Sequence, residues 1–213
     1  LFGLCADIDA LRDVLPSHVP IIEDAACAAG AVYKGASAGS LGLAASFSFH
    51  PRKLITTGEG GMLTTNNDLL AEVANTLRNH GASISEEQRH NGPLPYLLPQ
   101  FHQLGYNYRM TDLQGSVGLV QLSKLDRFIA EREKSAAFYR EALAGLDWLR
   151  MPQLPLDGGR HSWQAFVTYV DPETAPLPRN EIMARLQGRG ISTRPGTHAV
   201  HQLDYYRDRY EIN

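Results

Sequence analysis

Apolar residues at positions 8, 11, 14 and 15 share one face at helical spacing, so residues 7–15 predict an amphipathic helix, broken at 16–18. The apolar run 19–22 predicts a short buried strand, followed by the polar pair Glu23 and Asp24 and an alanine-rich stretch to Gly30. Helix, strand and an acid at the strand's carboxyl end form an α/β pattern, and ligands in such folds gather at those ends. Turn residues at 32–35 and 39–42 frame a small hairpin. Residues 44–49 alternate small and aromatic side chains, a strand leading to Lys53, and residues 62–65 predict another. Asn66, Asn67 and Asp68 offer a cap to a helix with Leu69, Leu70, Val73 and Leu77 on one face. Residues 80–103 lack periodicity and read as one long irregular loop, of the kind usually kept for function.

Thr111 and Gln114 match a capping box that opens a long helix. Leu113, Val117 and Val120 begin its apolar face, Leu125 and Ile129 continue it, and it runs as one helix to about Leu143. Beyond Gly145 and Pro152, residues 161–170 are strand-like and 180–187 helical, with Gly188 and Gly190 at the end. A domain boundary is expected near 145, giving units at 1–144 and 145–213 with the long helix as the joint. No internal repeat or low-complexity segment interrupts this order.

Composition narrows the classes. A chain of 213 residues suffices for one domain and part of a second. Hydrophobic content of 43%, charged content of 20% and a net charge of −3 are ordinary for a globular protein. Twenty basic residues face 23 acidic ones with no basic run, which offers no footing for nucleic acid or an anionic membrane. No apolar stretch reaches the roughly 18–20 residues of a membrane span. Cys5 and Cys27 are not in CxxC spacing, so neither a metal site nor a disulfide framework is expected. A cytoplasmic, reduced protein fits this composition. Leu1-Phe2-Gly3 is neither an initiator nor a signal peptide, so the chain is expected to be an internal piece of a longer protein.

The chemistry concentrates in Ser46-Phe-Ser-Phe-His-Pro-Arg-Lys53 and the glycine turn to Gly61. A lysine amine is mostly protonated at pH 7, and it must be desolvated or held as an imine to act as a nucleophile or base. Phe47, Phe49, Leu54 and Ile55 give Lys53 an apolar neighbourhood, and Gly58, Gly60 and Gly61 allow close backbone approach to a bound group. Ser48 offers a hydroxyl to a phosphate. Asp24, at a strand end, offers a carboxylate to a protonated ring nitrogen. Taken singly, each has a simpler reading: a surface lysine with a packed stem, a turn aspartate, an ordinary serine, a turn of glycines.

Together they match a family. Ile22-Glu-Asp-Ala-Ala-Cys-Ala-Ala-Gly30, the stretch Ser46 to Gly61, and Gly105-Tyr-Asn-Tyr-Arg-Met-Thr-Asp-Leu-Gln114 resemble the DegT/DnrJ/EryC1/StrS nucleotide-sugar aminotransferases, which use pyridoxal 5'-phosphate. The resemblance implies an aspartate aminotransferase-like fold of type I, with part of the large domain and most of the small C-terminal one. It implies Lys53 as the Schiff-base lysine, Asp24 on the pyridine nitrogen, Ser48 on the cofactor phosphate, and Asn107 reaching the partner's phosphate across a homodimer. Many members carry Gln or His, in contact with the ring hydroxyl, where this chain has Cys27. Cysteine bonds more weakly, and a small buried apolar role suits it equally. The resemblance also implies that a large preceding portion supplies further phosphate-binding backbone and a ring-stacking aromatic.

The implied activity moves an amino group from an amino acid, glutamate by expectation, to a nucleotide-linked keto-sugar. His50, beside Lys53, and His198 are candidate substrate contacts. The pair His198 and His201 suggests no metal site, because no third ligand is near in sequence. Three rivals stand beside this reading. Relatives dehydrate a sugar, with histidine in place of the lysine; others make an aromatic amine; and a non-catalytic scaffold or inactive fragment would keep the same fold.

Overall fold

The computed structural model describes residues 1–156 and 158–212. Backbone packing divides the chain into two compact units: Leu1–Phe138 with Leu154–Phe166, and Tyr139–Gln153 with Val167–Asn213.

The first unit opens with helix α1 (Ile8–Val14), started where the Asp7 carboxylate accepts the Ala10 N–H at 3.1 Å. The strand expected at 19–22 lies later, as β1 (Ile22–Asp24), and it is not buried: Ile22 is 58% exposed. The reason is Glu23. Its carboxylate turns inward and accepts the N–H groups of Gly39 (2.8 Å), Leu41 (2.6 Å) and Gly42 (2.9 Å). A carboxylate with three donors can sit inside a fold, which an apolar pattern does not reveal.

Strands β2 (Val32–Tyr33) and β3 (Ala36–Ser37) form the small hairpin. Lys34 and Gly35 between them have φ of 46° and 86°, the left-handed pair that matches strand twist in a two-residue turn. Strand β4 (Ala44–Ser48) pairs in parallel with β1 and antiparallel with β5 (Gly61–Thr65), giving the order β1-β4-β5 among the described residues. Behind β1 the alanine-rich stretch packs as a core of Ala25, Ala28, Ala31 and Ala45. Small side chains there let the backbone turns lie close to the sheet.

Helix α2 (Asp68–Leu77) is capped by Asn67, as its pattern implied. The expected loop over 80–103 contains a short helix, α3 (Glu86–Asn91), nucleated by a capping box of Ser85 and Gln88. That box was readable in the sequence, but no apolar face accompanied it. Thr111 and Gln114 open α4 (Asp112–Leu122), and α5 (Leu125–Ala142) follows as a separate helix. The single helix expected there is interrupted at Ser123 and Lys124. The Ser123 hydroxyl donates to the Val120 carbonyl at 2.9 Å, and the Lys124 N–H reaches back only three residues, to Gln121, at 3.0 Å.

The second unit holds the antiparallel pair β6 (Leu149–Arg150) and β7 (Tyr169–Val170), then α6 (Arg179–Gly188) and α7 (Asp204–Tyr210). Of the strand expected at 161–170, only residues 169–170 form one. Residues 161–166, which belong to the first unit, follow another path. Trp163 has φ of 51° and gives its N–H to His161 Nδ1 at 2.9 Å. Ser162 and Ala165 donate to the carbonyls of Gly3 (2.8 Å) and Phe2 (3.2 Å). The segment is buried because it crosses the first residues of the chain, not because it lies in a sheet.

Candidate active site

The parallel pairing of β1 with β4 sets their carboxyl ends side by side. Asp24 stands opposite Ser46, and Ser48 lies two residues further along β4. The chain then turns through residues 49–60 and returns as β5. Phe49 closes this loop: its N–H donates to Gly60 O at 2.9 Å, and its carbonyl accepts from Thr57 N (3.0 Å) and Thr56 Oγ1 (2.8 Å). Gly60 sits at φ of +150°, and a Cβ there would fall 2.6 Å from Thr57 Oγ1. Leu54 and Ile55 are buried and anchor the loop from within.

Lys53 rides on this loop, half-buried. Its Nζ donates to Cys27 Sγ at 3.1 Å. Cys27 lies three residues beyond Asp24 in the turn that leaves β1, so amine and thiol meet where the two strands end. This contact was missed in the sequence, where Cys27 had only a ring contact or a packing role to weigh. Nothing in the spacing signals it, because the two residues are 26 apart and meet only through the strand pairing.

Asp24 is exposed at the same end. Its Oδ1 accepts the Ala26 N–H at 3.1 Å, and its Oδ2 takes no hydrogen bond among the described residues. Ser48 Oγ accepts the His50 N–H at a long 3.4 Å, leaving the hydroxyl proton for another partner. His50 Nδ1 accepts the Arg52 N–H at 3.2 Å, and its Nε2 lies 3.9 Å from Glu59 Oε1.

Asn107 is exposed and joins a different part of the first unit, bridging Asn79 through the backbone. Tyr106 and Tyr108 pair with the end of α2 (Tyr106 N to Leu77 O, 2.7 Å; Tyr108 N to Arg78 O, 2.9 Å) and stack ring on ring at 4.9 Å. Asn107 makes no hydrogen bond to Lys53, Asp24 or Ser48 within the chain. His198 is exposed and lies in the second unit.

Three glutamines hold the lysine loop, and the sequence singled out just one of them, as a cap. Gln114 Nε2 donates to Glu59 O at 2.9 Å, Gln121 Oε1 accepts Thr56 N at 3.4 Å, and Gln164 meets Arg52 and Leu54. An apolar cavity of about 420 Å³ is lined by Phe47, Phe49, Ile55, Met110, Leu119 and Leu122, but not by Lys53, Asp24, Ser48 or Cys27. Its walls carry no group suited to a charged ligand, so the chemistry belongs to the strand ends. Among the described residues, no three His, Cys, Asp or Glu side chains gather as a metal ion needs.

Amine, free carboxylate oxygen and free hydroxyl are the donor set that an aldehyde, a ring nitrogen and a phosphate require, so the residues present fit pyridoxal phosphate.

Comparison with known proteins bears on this arrangement. The model of the DegT/DnrJ/EryC1/StrS aminotransferase family matches residues 1–213. GDP-perosamine synthase of Caulobacter vibrioides is 38% identical over 208 residues, covering 97% of this chain and 53% of that protein. The aminotransferase from Psychrobacter cryohalolentis superposes with a TM-score of 0.89 at 28% identity, over 100% of this chain and 57% of that one. DesV of S. venezuelae, solved in complex with a ketimine intermediate, gives a TM-score of 0.81 at 32% identity, over 98% and 52%. The chain thus spans about half the length of the relatives it matches. The α/β arrangement is the expected aminotransferase fold of type I. On motif, identity and fold alike, the chain belongs to the DegT/DnrJ/EryC1/StrS aminotransferase family.

Proposed function

We propose that the parent protein transfers an amino group from an amino acid, glutamate in our reading, to a nucleotide-linked keto-sugar, with pyridoxal phosphate held by Lys53, Asp24 and Ser48. The observation that carries the reading is that Lys53 Nζ meets Cys27 in the turn just past Asp24, where the carboxyl ends of β1 and β4 lie side by side. The relative from Caulobacter vibrioides, a GDP-perosamine synthase, supports a nucleotide-sugar substrate.

When bound, the cofactor supplies an aldehyde that accepts amines and a ring that draws electrons from the neighbouring carbon. Lys53 would hold the cofactor through Nζ, and the same amine would carry a proton during the transfer. The Asp24 carboxylate, with Oδ2 unused by the chain, would pair with the ring nitrogen and keep it protonated. The Ser48 hydroxyl would donate to the phosphate. Asn107, exposed and without a hydrogen bond to Lys53 within its own chain, would serve the phosphate of the second subunit in a homodimer. His50, on the lysine loop, would contact substrate; His198 is a separate candidate for the same role. Lys53 itself argues against the dehydratase alternative, which places histidine there. A cytoplasmic location completes the proposal; no described helix is long and apolar enough to cross a membrane.

In the full-length protein, borohydride reduction should fix a pyridoxyl group on Lys53, found by peptide mass spectrometry. The Lys53→Ala variant should lose both that label and the visible absorbance of the bound cofactor, with turnover down at least about a thousandfold. Turnover near the parental rate in Lys53→Ala would sink the assignment.

A further inference from the structure

Gln164 makes two hydrogen bonds to the lysine loop, one on each side of Lys53. Its Oε1 accepts the Leu54 N–H at 2.9 Å, and its Nε2 donates to the Arg52 carbonyl at 2.7 Å. The Arg52 carbonyl belongs to the peptide plane before the Lys53 Cα, and the Leu54 N–H belongs to the plane after it. Peptide planes are rigid, so Lys53 has only φ and ψ with which to reorient. One carboxamide therefore ties down both planes, and with them the direction of the Lys53 Cα–Cβ bond. Each partner also fixes the orientation of the amide, since a carbonyl can only accept and an N–H can only donate.

Gln164 is itself immobilised. Arg132 Nη1, from α5, donates to the carbonyls of Trp163 (2.8 Å) and Gln164 (3.0 Å). On the other side, Gly3 lies so close that a Cβ there would fall 2.7 Å from Gln164 N. His161 and Trp163, both buried, stack at 3.9 Å and stiffen the approach.

We propose that Gln164 is a positioning residue for Lys53: its carboxamide brackets the lysine's two peptide planes and aims Nζ at the strand ends beside Cys27. The proposal rests on the role of Lys53 given above. It carries a chemical consequence. A lysine that must meet an aldehyde, leave it, and then move a proton at a fixed carbon gains rate from a backbone that does not wander.

The test compares the full-length protein with Gln164→Ala and Gln164→Glu by amide hydrogen exchange and by the rate at which pyridoxal phosphate with borohydride labels Lys53. In Gln164→Ala, exchange at Leu54 should accelerate roughly tenfold while the Ala45 amide in β4 stays protected, and labelling should slow by a similar factor. Gln164→Glu still accepts from Leu54 but sets an acceptor against the Arg52 carbonyl. It should keep Leu54 protection and still label more slowly than the parent.

The proposal is overturned if Gln164→Ala leaves Leu54 exchange unchanged, or if Leu54 opens while Lys53 labels at the parental rate. Should Gln164→Ala fail to fold, parental labelling in Gln164→Glu overturns it equally. A parent protein that takes no label at Lys53 would instead refute the cofactor reading, and Leu54 exchange would still decide the bracket.

Discussion

At the residue scale, the contact between Lys53 Nζ and Cys27 Sγ changes how the thiol is understood. A cysteine in an alanine-rich turn passes for packing, yet here it stands as the hydrogen-bond partner of the amine. His161 is the clearest titrating residue. It is 5% exposed, and burial pushes its pKa down to about 4 from an ordinary 6.5. Between those values the unfolded chain binds a proton that the folded chain refuses. Its contribution is therefore complete above pH 6.5 and is lost as the pH falls toward about 4. The carboxylates held low, Asp7 by the Tyr33 hydroxyl, Asp9 by Lys34 and Asp171 by Arg150, are shifted away from this window. Melting temperature should fall from pH 7 to pH 4.5, and less steeply in His161→Phe, although that variant is less stable for want of an acceptor for Trp163 N. Parallel pH profiles for the two proteins would refute the assignment to His161.

At the element scale, the turn between β3 and β4 is organised by one side chain. Glu23 receives three backbone N–H groups and holds residues 39–42 against β1. The fit is tight, because a Cβ on Gly42 would collide with the Ile21 carbonyl. Glu23→Ala leaves three donors without their acceptor and should cost about 2–4 kcal/mol in urea unfolding. A loss under about 0.5 kcal/mol would show that water replaces the carboxylate at little cost. The same logic separates α4 from α5. The apolar pattern runs on through Ser123, but a hydroxyl bonded to the preceding turn and one short-range N–H bond end the helix there. Capping chemistry was legible where an apolar face accompanied it, at Thr111, and passed over where none did, at Ser85.

At the scale of the molecule, the first unit presents more apolar surface than a solitary domain usually does. Leu113 is 82% exposed and Leu119 72%, both on α4, and Met62 and Leu63 are open on β5. The chain spans about half the length of the relatives it matches. The isolated 213-residue chain should bind a hydrophobic dye such as ANS in its folded state. Leu119→Asp should lower that binding while costing less than about 1 kcal/mol in stability, since the side chain packs on little. Dye binding equal to that of a fully covered globular control would refute the expectation.

The sequence by itself determined the family, the α/β class and the candidates Lys53, Asp24 and Ser48. It could do so because strand-end chemistry is written locally: a strand, its last residue and the turn that follows are neighbours in the chain. Only the tertiary structure decided what surrounds them. Cys27 meets Lys53 because β1 and β4 lie in parallel, and Glu23 turns inward because a distant turn supplies its donors. Gln164 brackets a loop 110 residues away because an irregular buried segment crosses the start of the chain. Such contacts depend on which backbones come within hydrogen-bond reach. That is a property of the packed fold, carried by residue types too common to stand out in a linear pattern.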